Sequence, residues 1–384
     1  MNNIIEYIEN LNLRLKKYLP ERKRLYYSNL KIDNLRGVII YGSRGVGKTT
    51  FLIDKIKNRN FLYFSADTPL ISSVNLYNLV NQIFMAGYEG VVIDEIHFAN
   101  EWSIHLKSLY DDFPDKKIWV SDSSNLMLRE GIGDLSRRFV QFKIPFLSFR
   151  EYLYIKTGTV FPVIDFFKID EEKLKEYYKI NHLKYFKDYL YQGTRPIFEE
   201  GEYCRRIKGI VEKTIYSDIP FHLKTVNNTH IRVVNAILGH LLYASVPTVN
   251  ISKMCTEWSI GKEKLYGIFE AMHESDVIRI LKTKNNKNFL TKGSKIFLSD
   301  PSLYYCYDGE KGNIREAFTA MIFSEKYKVF CSEKEEHYDF LIDNKKIEVG
   351  GKNKKLKKAD YVLKDDIEIP LRNNIPLWMA GTIY

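Results

Sequence analysis

The stretch GSRGVGKTT, residues 42–50, directly follows the apolar run GVIIY, residues 37–41. It fits the pattern G-x-x-x-x-G-K-[ST], in which two glycines precede Lys48 and Thr49. The run before it is typical of a buried strand, and the segment after it is compatible with a helix. A strand, a glycine-rich turn and a helix in this order predict a phosphate-binding loop (Walker A), because backbone N–H groups and a helix start both attract phosphate oxygens.

The residues of this loop have separate expected roles. Lys48 is expected to reach the terminal phosphates, and the Thr49 hydroxyl is expected to bind the Mg²⁺ that accompanies them. The other expected nucleotide contacts are Gly42, Ser43, Arg44, Gly45, Val46, Gly47 and Thr50. The alternative is a glycine-rich turn with an exposed lysine, and the flanking strand and helix disfavour it.

A second signal, of the Walker B kind, is the run GVVIDEIH, residues 90–97. This apolar strand ends in two acids, Asp94 and Glu95. Asp94 is expected to hold Mg²⁺ through its water shell, and Glu95 is expected to polarise the attacking water. Two adjacent acids can also be a plain strand end, but the loop upstream favours catalysis. His97 and His105 follow without a third metal ligand, so we expect packed or surface histidines there.

Composition bounds the class of protein. The chain has 384 residues, of which 45% are hydrophobic and 28% charged, and this balance is typical of folded domains. The net charge of +10 favours an anionic partner, although charge alone does not decide between nucleic acid and a solvated surface.

No segment favours export or membrane insertion. Glu6 and Glu9 interrupt the first apolar stretch, which does not suit a secretory signal. No run approaches the roughly 18 apolar residues of a membrane span. The cysteines lie far apart and predict buried free thiols in a reducing compartment; they are Cys204, Cys255, Cys306 and Cys331. We therefore expect a cytoplasmic protein with no membrane partner.

Four regions follow one another along the chain. Residues 1–147 contain the short apolar runs GVIIYG, FLYFS, VVIDE, KIWVSD and RFVQFKIP, which predict an α/β domain with a buried parallel sheet. Residues 148–230 have a helical pattern, and one helix predicted within them ends at Gly193. In residues 231–307, two short amphipathic helices and the strands VIRILK and FLTKGSKIFLSD predict a winged helix. Residues 308–384 return to mixed α/β, with the hairpin HYDFLIDNKKIEVGG.

These motifs together resemble the AAA+ ATPases. The loop, VVIDE, the strand end SDSS and the segment LSRRFVQFKIPFLSFREYL are similar to a prokaryotic AAA+ family with a C-terminal restriction-endonuclease-like domain of unknown function. The resemblance implies an α/β P-loop NTPase fold with a helical lid, a winged helix and that C-terminal domain. It also implies Mg²⁺-dependent ATP binding and hydrolysis, coupled to movement of the C-terminal modules.

The resemblance assigns further residues. Ser123 matches the sensor of the γ-phosphate, although Asp122 stands where the family usually has glycine. Arg138 matches an arginine finger that acts on a neighbouring subunit of a homo-oligomer; the alternative is a surface arginine. The lid turn YLYQGTRPIF departs from the family's paired glycines at Thr194 and Arg195.

Two partner questions stay open at this point. The second helix of the winged helix and its wing carry five lysines that suit the phosphates of double-stranded DNA, namely Lys262, Lys264, Lys282, Lys284 and Lys287. This helix lacks side chains spaced for reading base edges, and winged helices also dock proteins, so a DNA-binding regulator switched by ATP and a docking module both remain alternatives. The basic run from Lys352 to Lys358 is a further candidate for contact with DNA, and its alternative is a solvated face.

The C-terminal hairpin raises the second question. In restriction-endonuclease-like folds, an Asp and a Glu-x-Lys on the next strand collect Mg²⁺ for phosphodiester cleavage. Here Asp339 and Glu348 are expected on one face across a turn at Asn344-Lys345, and the resemblance adds Glu316. The lysine position is Gly350, and the nearest cation in sequence is Lys352. An ATP-gated nuclease and a degenerate, binding-only domain are both open.

Overall fold

The computed structural model describes residues 2–123, 133, 135–223, 228–243, 250–285, 290, 294–333, 337–356 and 358–384. The chain divides into two compact units, Met1–Pro145 and Phe146–Tyr384. The finer division of the second unit at residues 230 and 307 stays a prediction.

A five-stranded parallel sheet forms the centre of the first unit, in the order β2-β3-β4-β1-β5. Its strands are β1 Gly37–Tyr41, β2 Phe61–Ser65, β3 Gly90–Asp94, β4 Lys117–Asp122 and β5 Phe139–Lys143. These are the five apolar runs predicted from the sequence. The α/β prediction with a parallel sheet is therefore confirmed.

Helices alternate with these strands along the first unit. They are α1 Asn2–Lys17, α2 Lys48–Lys55, α3 Pro69–Ser72, α4 Leu76–Met85 and α5 Trp102–Asp112, with short 3₁₀ turns at Leu25–Asn29 and Ile96–Phe98. Helix α4 illustrates why: Asn75 caps it by accepting a hydrogen bond from the Asn78 N–H, and its apolar positions recur at helical spacing. Because all five strands run in one direction, their carboxyl ends share one edge of the sheet.

The second unit begins with helices. Their bounds are Phe149–Thr157, Glu171–Tyr178, His182–Gln192, Tyr203–Lys213, Ile219–His222, Asn228–Tyr243, Ile251–Trp258, Lys262–Glu274, Ser302–Cys306, Lys311–Ser324 and Leu377–Ala380. The first carries a capping box between Ser148 and Glu151. The run of sequence that ends at Gly193 forms two helices, because Asn181 caps the second by accepting from the Lys184 N–H.

Two sheets complete the second unit. Strands β6 Ile278–Leu281 and β7 Lys295–Leu298 form an antiparallel pair, after two helices joined through Ser259 in the left-handed region. The second sheet has the order β12-β11-β10-β9-β8. Its strands are β8 Val329–Cys331, β9 Phe340–Ile342, β10 Lys345–Gly350, β11 Tyr361–Lys364 and β12 Asn374–Pro376.

The predicted turn of the C-terminal hairpin is wrong by one residue. Ile342 pairs with Lys345, so Asp343 and Asn344 form the turn instead of Asn344 and Lys345. Both turn residues have positive φ, 48° and 63°. A two-residue hairpin turn requires that backbone shape, which Asp and Asn adopt more readily than Lys.

The cysteine prediction is wrong for two of the four residues. Cys204 and Cys306 form a disulfide, since packing of their two helices places the Cα atoms 5.0 Å apart. Cys331 is a buried free thiol, as expected, and Cys255 is a free thiol that is partly exposed. Among the described residues, the helices are too short or too polar to cross a bilayer.

The departure at Thr194 and Arg195 has a structural explanation. Both side chains are buried against Asp300: the Thr194 hydroxyl donates to Oδ1 at 2.8 Å, and Arg195 Nε lies 3.2 Å from Oδ2. The Ser302 hydroxyl donates to the same Oδ1 at 2.6 Å. This turn is therefore held by buried polar contacts.

We expect Asp300→Ala to destabilise the chain by about 3–5 kcal/mol, because the change leaves the buried Arg195 charge without its carboxylate. Chemical denaturation followed by circular dichroism measures the effect. Glu171→Ala, at an exposed helix start, is the control and should change stability little. Equal stability of Asp300→Ala and the parent would contradict this account.

Candidate functional site

The phosphate loop has a backbone that only glycine accommodates at two positions. Gly42 and Gly47 have φ of 145° and 97°, outside the range that other residues favour. A Cβ at Gly42 would lie 2.3 Å from the Ile144 carbonyl oxygen, and one at Gly47 would lie 2.5 Å from the Tyr27 hydroxyl. The sequence pattern and the observed cradle therefore agree.

Lys48 lies inside this loop. Its side chain is 6% exposed, and Nζ donates to the carbonyl oxygens of Gly42 at 2.7 Å and Ser43 at 3.1 Å. Burial lowers the pKa of the Lys48 ammonium, while the charges of Glu95 and Asp94 act in the opposite direction. The ammonium is thus already desolvated and is held by neutral oxygens.

Asp94 ends β3 and receives hydrogen bonds from four donors. The Thr49 hydroxyl donates to Oδ2 at 2.6 Å, and the Tyr63 hydroxyl donates to the same oxygen at 2.9 Å. The Ser121 hydroxyl and the backbone N–H of Glu95 donate to Oδ1. Thr49 and Asp94 are brought together as predicted, and their hard oxygen atoms fit a Mg²⁺ ion.

Tyr63 and Ser121 are contacts that the sequence reasoning missed. Both lie on strands next to β3, near the edge where those strands end, so only the strand order places them beside Asp94. Burial and the neighbouring Asp94 carboxylate raise the pKa of the Tyr63 hydroxyl, which therefore stays a donor.

Glu95 lies directly after β3 with a left-handed backbone, φ 49°. Arg44 of the phosphate loop contacts it, with NH1 3.0 Å from Oε1. Burial raises the pKa of the Glu95 carboxyl, whereas Lys48 and Arg44 lower it. The sequence assigned Arg44 only a loop position, so its ion pair with Glu95 is a finding of the structure.

His97 links Glu95 to Asp122. Its Nδ1 atom lies 3.1 Å from Asp122 Oδ2 and 3.7 Å from Glu95 Oε2, and the ring is 3% exposed. The histidine is packed as predicted, but the expectation that no third ligand lies near it is wrong, because ligand atoms of Glu95, His97 and Asp122 lie within 4.8 Å of one another. Asp122, which departs from the family pattern, supplies the carboxylate that the imidazole contacts. His105 instead lies against Asn75, with 3.4 Å between Nε2 and Nδ2.

The two residues assigned by resemblance lie at different ends of the sheet. Tyr41 pairs with Asp122, so the buried Ser123 follows β4 beside the start of the phosphate loop. Arg138 precedes β5, at the opposite edge, and donates to both carboxylate oxygens of Asp111 at 2.8 and 2.6 Å. Arg138 is therefore distant from the phosphate loop of its own chain, and its role toward a neighbour stays a prediction.

An N-terminal segment supports the loop, and no sequence motif indicated it. Arg24 NH1 donates to the carbonyl oxygens of Val46 at 2.9 Å and Pro145 at 2.6 Å. The Tyr27 hydroxyl donates to the Gly47 carbonyl oxygen at 2.6 Å. These bonds satisfy carbonyl groups of the loop and of Pro145, so the N-terminal segment helps to fix the backbone of the loop.

In the second unit, the ladder of β9 and β10 ends at the pair Phe340 and Ile347; beyond it the Asp339 N–H donates to the Ile347 carbonyl oxygen at 3.0 Å, and the Val349 N–H donates to Asp339 Oδ2 at 2.8 Å. Burial lowers the pKa of the Lys354 ammonium, while Glu348 and Asp339 both raise it, so the two predicted acids lie in one cluster. Lys352 is exposed. The cations at these acids are Lys295, 3.4 Å from Asp339 and 3.1 Å from Glu316, and Lys354, 2.8 Å from Glu348.

The lysines predicted to contact DNA differ in their exposure and in their contacts. Lys262 and Lys264 are exposed at the start of the helix Lys262–Glu274. Lys282 is partly buried, and Lys284 donates to the Asn344 side chain at 2.9 Å. Lys287 lies outside the described residues.

Comparison with known proteins relates part of the chain to others. The relative "Uncharacterized protein MJ1637" of Methanocaldococcus jannaschii is 32% identical over 252 residues, which are 56% of this chain and 52% of the relative. The chain thus spans about half the length of that relative.

Two solved structures are similar at lower identity. The Walker-type ATPase PABY2304 of Pyrococcus abyssi is 13% identical with a TM-score of 0.43, covering 77% of this chain and 99% of that one. A point variant of RuvB from Thermotoga maritima is 15% identical with a TM-score of 0.32, covering 73% of this chain and 92% of that one.

The phosphate loop, the acidic end of β3 and the end of β4 all fall within one matched segment. Residues 34–153 match the family model described as "AAA domain" (AAA_14). This segment, which makes up less than a third of the chain, is similar to an AAA domain and contains the parallel sheet together with its phosphate loop.

Proposed function

We propose that the chain binds and hydrolyses ATP in a Mg²⁺-dependent reaction. The convergence of Lys48, the Thr49–Asp94 pair and Glu95 at one edge of the parallel sheet carries this proposal. A P-loop nucleoside triphosphatase needs a loop that binds the phosphates, oxygen ligands for the metal and a carboxylate that orients water. These residues supply all three.

Each residue of the site has its own part in the proposed reaction. Lys48 exchanges its two carbonyl partners for phosphate oxygens, which gain a charge-assisted hydrogen bond. Mg²⁺, held by Thr49 and Asp94, offsets part of the phosphate charge when bound. Glu95 accepts a hydrogen bond from the attacking water, and Arg44 favours its ionised form. Ser123, beside the loop, is proposed to contact the γ-phosphate.

Assembly is part of the proposal. Arg138 is partly buried, with 16% of its side chain exposed, and lies away from its own phosphate loop, so an arginine finger at this position has to act on a neighbouring copy. The exposed carboxylate of Asp111 holds its guanidinium in a fixed direction. Hydrolysis would then depend on homo-oligomer formation, and the helical lid, winged helix and restriction-endonuclease-like domain would respond to the nucleotide state.

Contact with double-stranded DNA is a second candidate function, that of an ATP-switched regulator. The exposed Lys262 and Lys264 at the start of a second helix after a tight turn support it. Such lysines add phosphate contacts that weaken as salt rises.

Nucleotide binding and turnover should separate in two variants. Lys48→Ala should abolish ATP binding, because the buried ammonium of the cradle is removed, and calorimetry measures this. Glu95→Gln should retain ATP binding and lose hydrolysis by about a hundredfold or more, as expected for a missing base.

The control for this pair is Lys57→Ala, at an exposed position just beyond helix α2. It should behave as the parent in both assays. Undiminished hydrolysis by Glu95→Gln would remove Glu95 from the mechanism, and ATP binding by Lys48→Ala would refute the cradle.

His97→Ala should lower kcat by roughly ten- to a hundredfold and change KM little, because His97 positions Glu95 without touching the nucleotide. Steady-state kinetics at a fixed protein concentration measure both constants. His105→Ala is the matched control outside the cluster. A rise in KM alone would assign His97 to nucleotide binding instead.

Duplex DNA should bind with an affinity that falls as salt increases, measured by fluorescence anisotropy. Lys262→Gln with Lys264→Gln should reduce the slope of log affinity against log salt by roughly 0.9 for each phosphate that the lysines no longer neutralise. Lys173→Gln with Lys175→Gln, on an exposed helix face, is the control. Salt-insensitive binding or none would favour the docking module.

A further inference from the structure

The acids of the C-terminal sheet form one cluster with two lysines. Glu316 lies on the helix Lys311–Ser324, Asp339 precedes β9, and Glu348 lies on β10. Lys295 Nζ lies 3.1 Å from Glu316 Oε2 and 3.4 Å from Asp339 Oδ1. The restriction-endonuclease-like resemblance implies a divalent cation at these carboxylates, so the fit of that ion to the residues can be tested.

Lys295 comes from outside the hairpin that carries the acids. It is the first residue of β7 and pairs with Leu281 of β6. Its side chain is 4% exposed, so the ammonium is shielded from water. A buried ammonium is costly unless carboxylates neutralise it, and Glu316 and Asp339 do so here.

Lys354 occupies the place of the lysine that the motif lacks. Its aliphatic stem fills the space next to Gly350, where an added Cβ would lie 2.7 Å from Lys354 Cγ and Cδ. Its Nζ lies 2.8 Å from Glu348 Oε1, and Glu348 is fully buried. A side chain at position 350 would displace this lysine, which gives a physical reason for glycine there.

A divalent ion does not fit this arrangement. Carboxylate oxygens bind Mg²⁺ or Mn²⁺ by converging on one point at about 2.0–2.2 Å. Here oxygens of Glu316 and Asp339 converge on an ammonium at hydrogen-bonding distance, and Glu348 is paired with a second ammonium. The Lys295 ammonium therefore occupies the position between Glu316 and Asp339 that a metal ion would need.

We infer that Lys295 is a built-in cation, which replaces the divalent metal of a nuclease centre and makes the C-terminal sheet a non-cleaving domain. The ion pair fastens the β6–β7 pair to the C-terminal sheet. Two neighbouring contacts also join these two sheets. The Cys331 N–H donates to the Lys282 carbonyl oxygen at 2.9 Å, and the ring centroids of Phe297 and Phe340 are 6.0 Å apart.

The electrostatics of the cluster agree with this assignment. Burial raises the pKa of the Glu316 carboxyl and the charge of Asp339 adds to the effect, whereas Lys295 and Lys354 lower it. The positive charges of the two lysines therefore offset the repulsion among the three neighbouring carboxyl groups. Removing Lys295 leaves these acids in need of another cation.

The test is Mn²⁺ binding without nucleotide, measured by calorimetry for the parent and for Lys295→Gln, each with and without Asp339→Asn. Subtracting the Asp339→Asn result removes any ion bound by the first unit. The parent should show no Asp339-dependent binding, whereas Lys295→Gln should gain one Asp339-dependent ion. Lys345→Gln, an exposed lysine on β10, is the matched control and should resemble the parent.

Two outcomes overturn the inference. One is Asp339-dependent Mn²⁺ binding or plasmid cleavage by the parent, and the other is no gained ion in Lys295→Gln. If Lys295→Gln does not fold, it is refolded with and without Mn²⁺. Recovery of the folded state with Mn²⁺, which is lost when Asp339→Asn is added, supports a vacated cation site. No recovery with Mn²⁺ contradicts it. ATPase activity enters neither readout, so the result is independent of the proposed function.

Discussion

The carboxylate of Asp94 is the contact around which the nucleotide site is organised. It ends strand β3, and it receives hydrogen bonds from the phosphate loop, from β2, from β4 and from the next residue along the chain. This convergence is a consequence of the parallel sheet, since the carboxyl ends of neighbouring strands share one edge. Carboxylate oxygens are hard ligands, which suits a metal ion bound together with phosphate.

Buried charges recur in both units, and their partners differ in a way that bears on function. Lys48 is held by neutral carbonyl oxygens of its own loop, which compete weakly with phosphate. Lys295 is held by two carboxylates, which bind an ammonium far more strongly. The ammonium of Lys48 can therefore exchange its partners for phosphate oxygens, whereas the ammonium of Lys295 is neutralised by its own carboxylates. In the functions proposed for the two units, the same residue type would prepare a ligand site in one unit and close one in the other.

The positions that depart from the family pattern prove informative. Asp122 contacts His97, which lies beside Glu95. Thr194 and Arg195 are both buried against Asp300. Gly350 makes room for Lys354. In each case the substituted residue is explained by a partner that a motif comparison on its own could not have supplied, because only the folded chain brings the two together.

The sequence alone determined the five strands, the glycine cradle with Lys48 and Thr49, and the pairing of Thr49 with Asp94, because local hydrophobic patterns and motif spacing encode them. It also indicated that Asp339 and Glu348 lie near each other. Only the tertiary structure decided that Arg44 and His97 contact Glu95, that Cys204 bonds to Cys306, and that Lys295 neutralises Glu316 and Asp339. These contacts carry no local signal in the sequence, so they are set by strand order and helix packing.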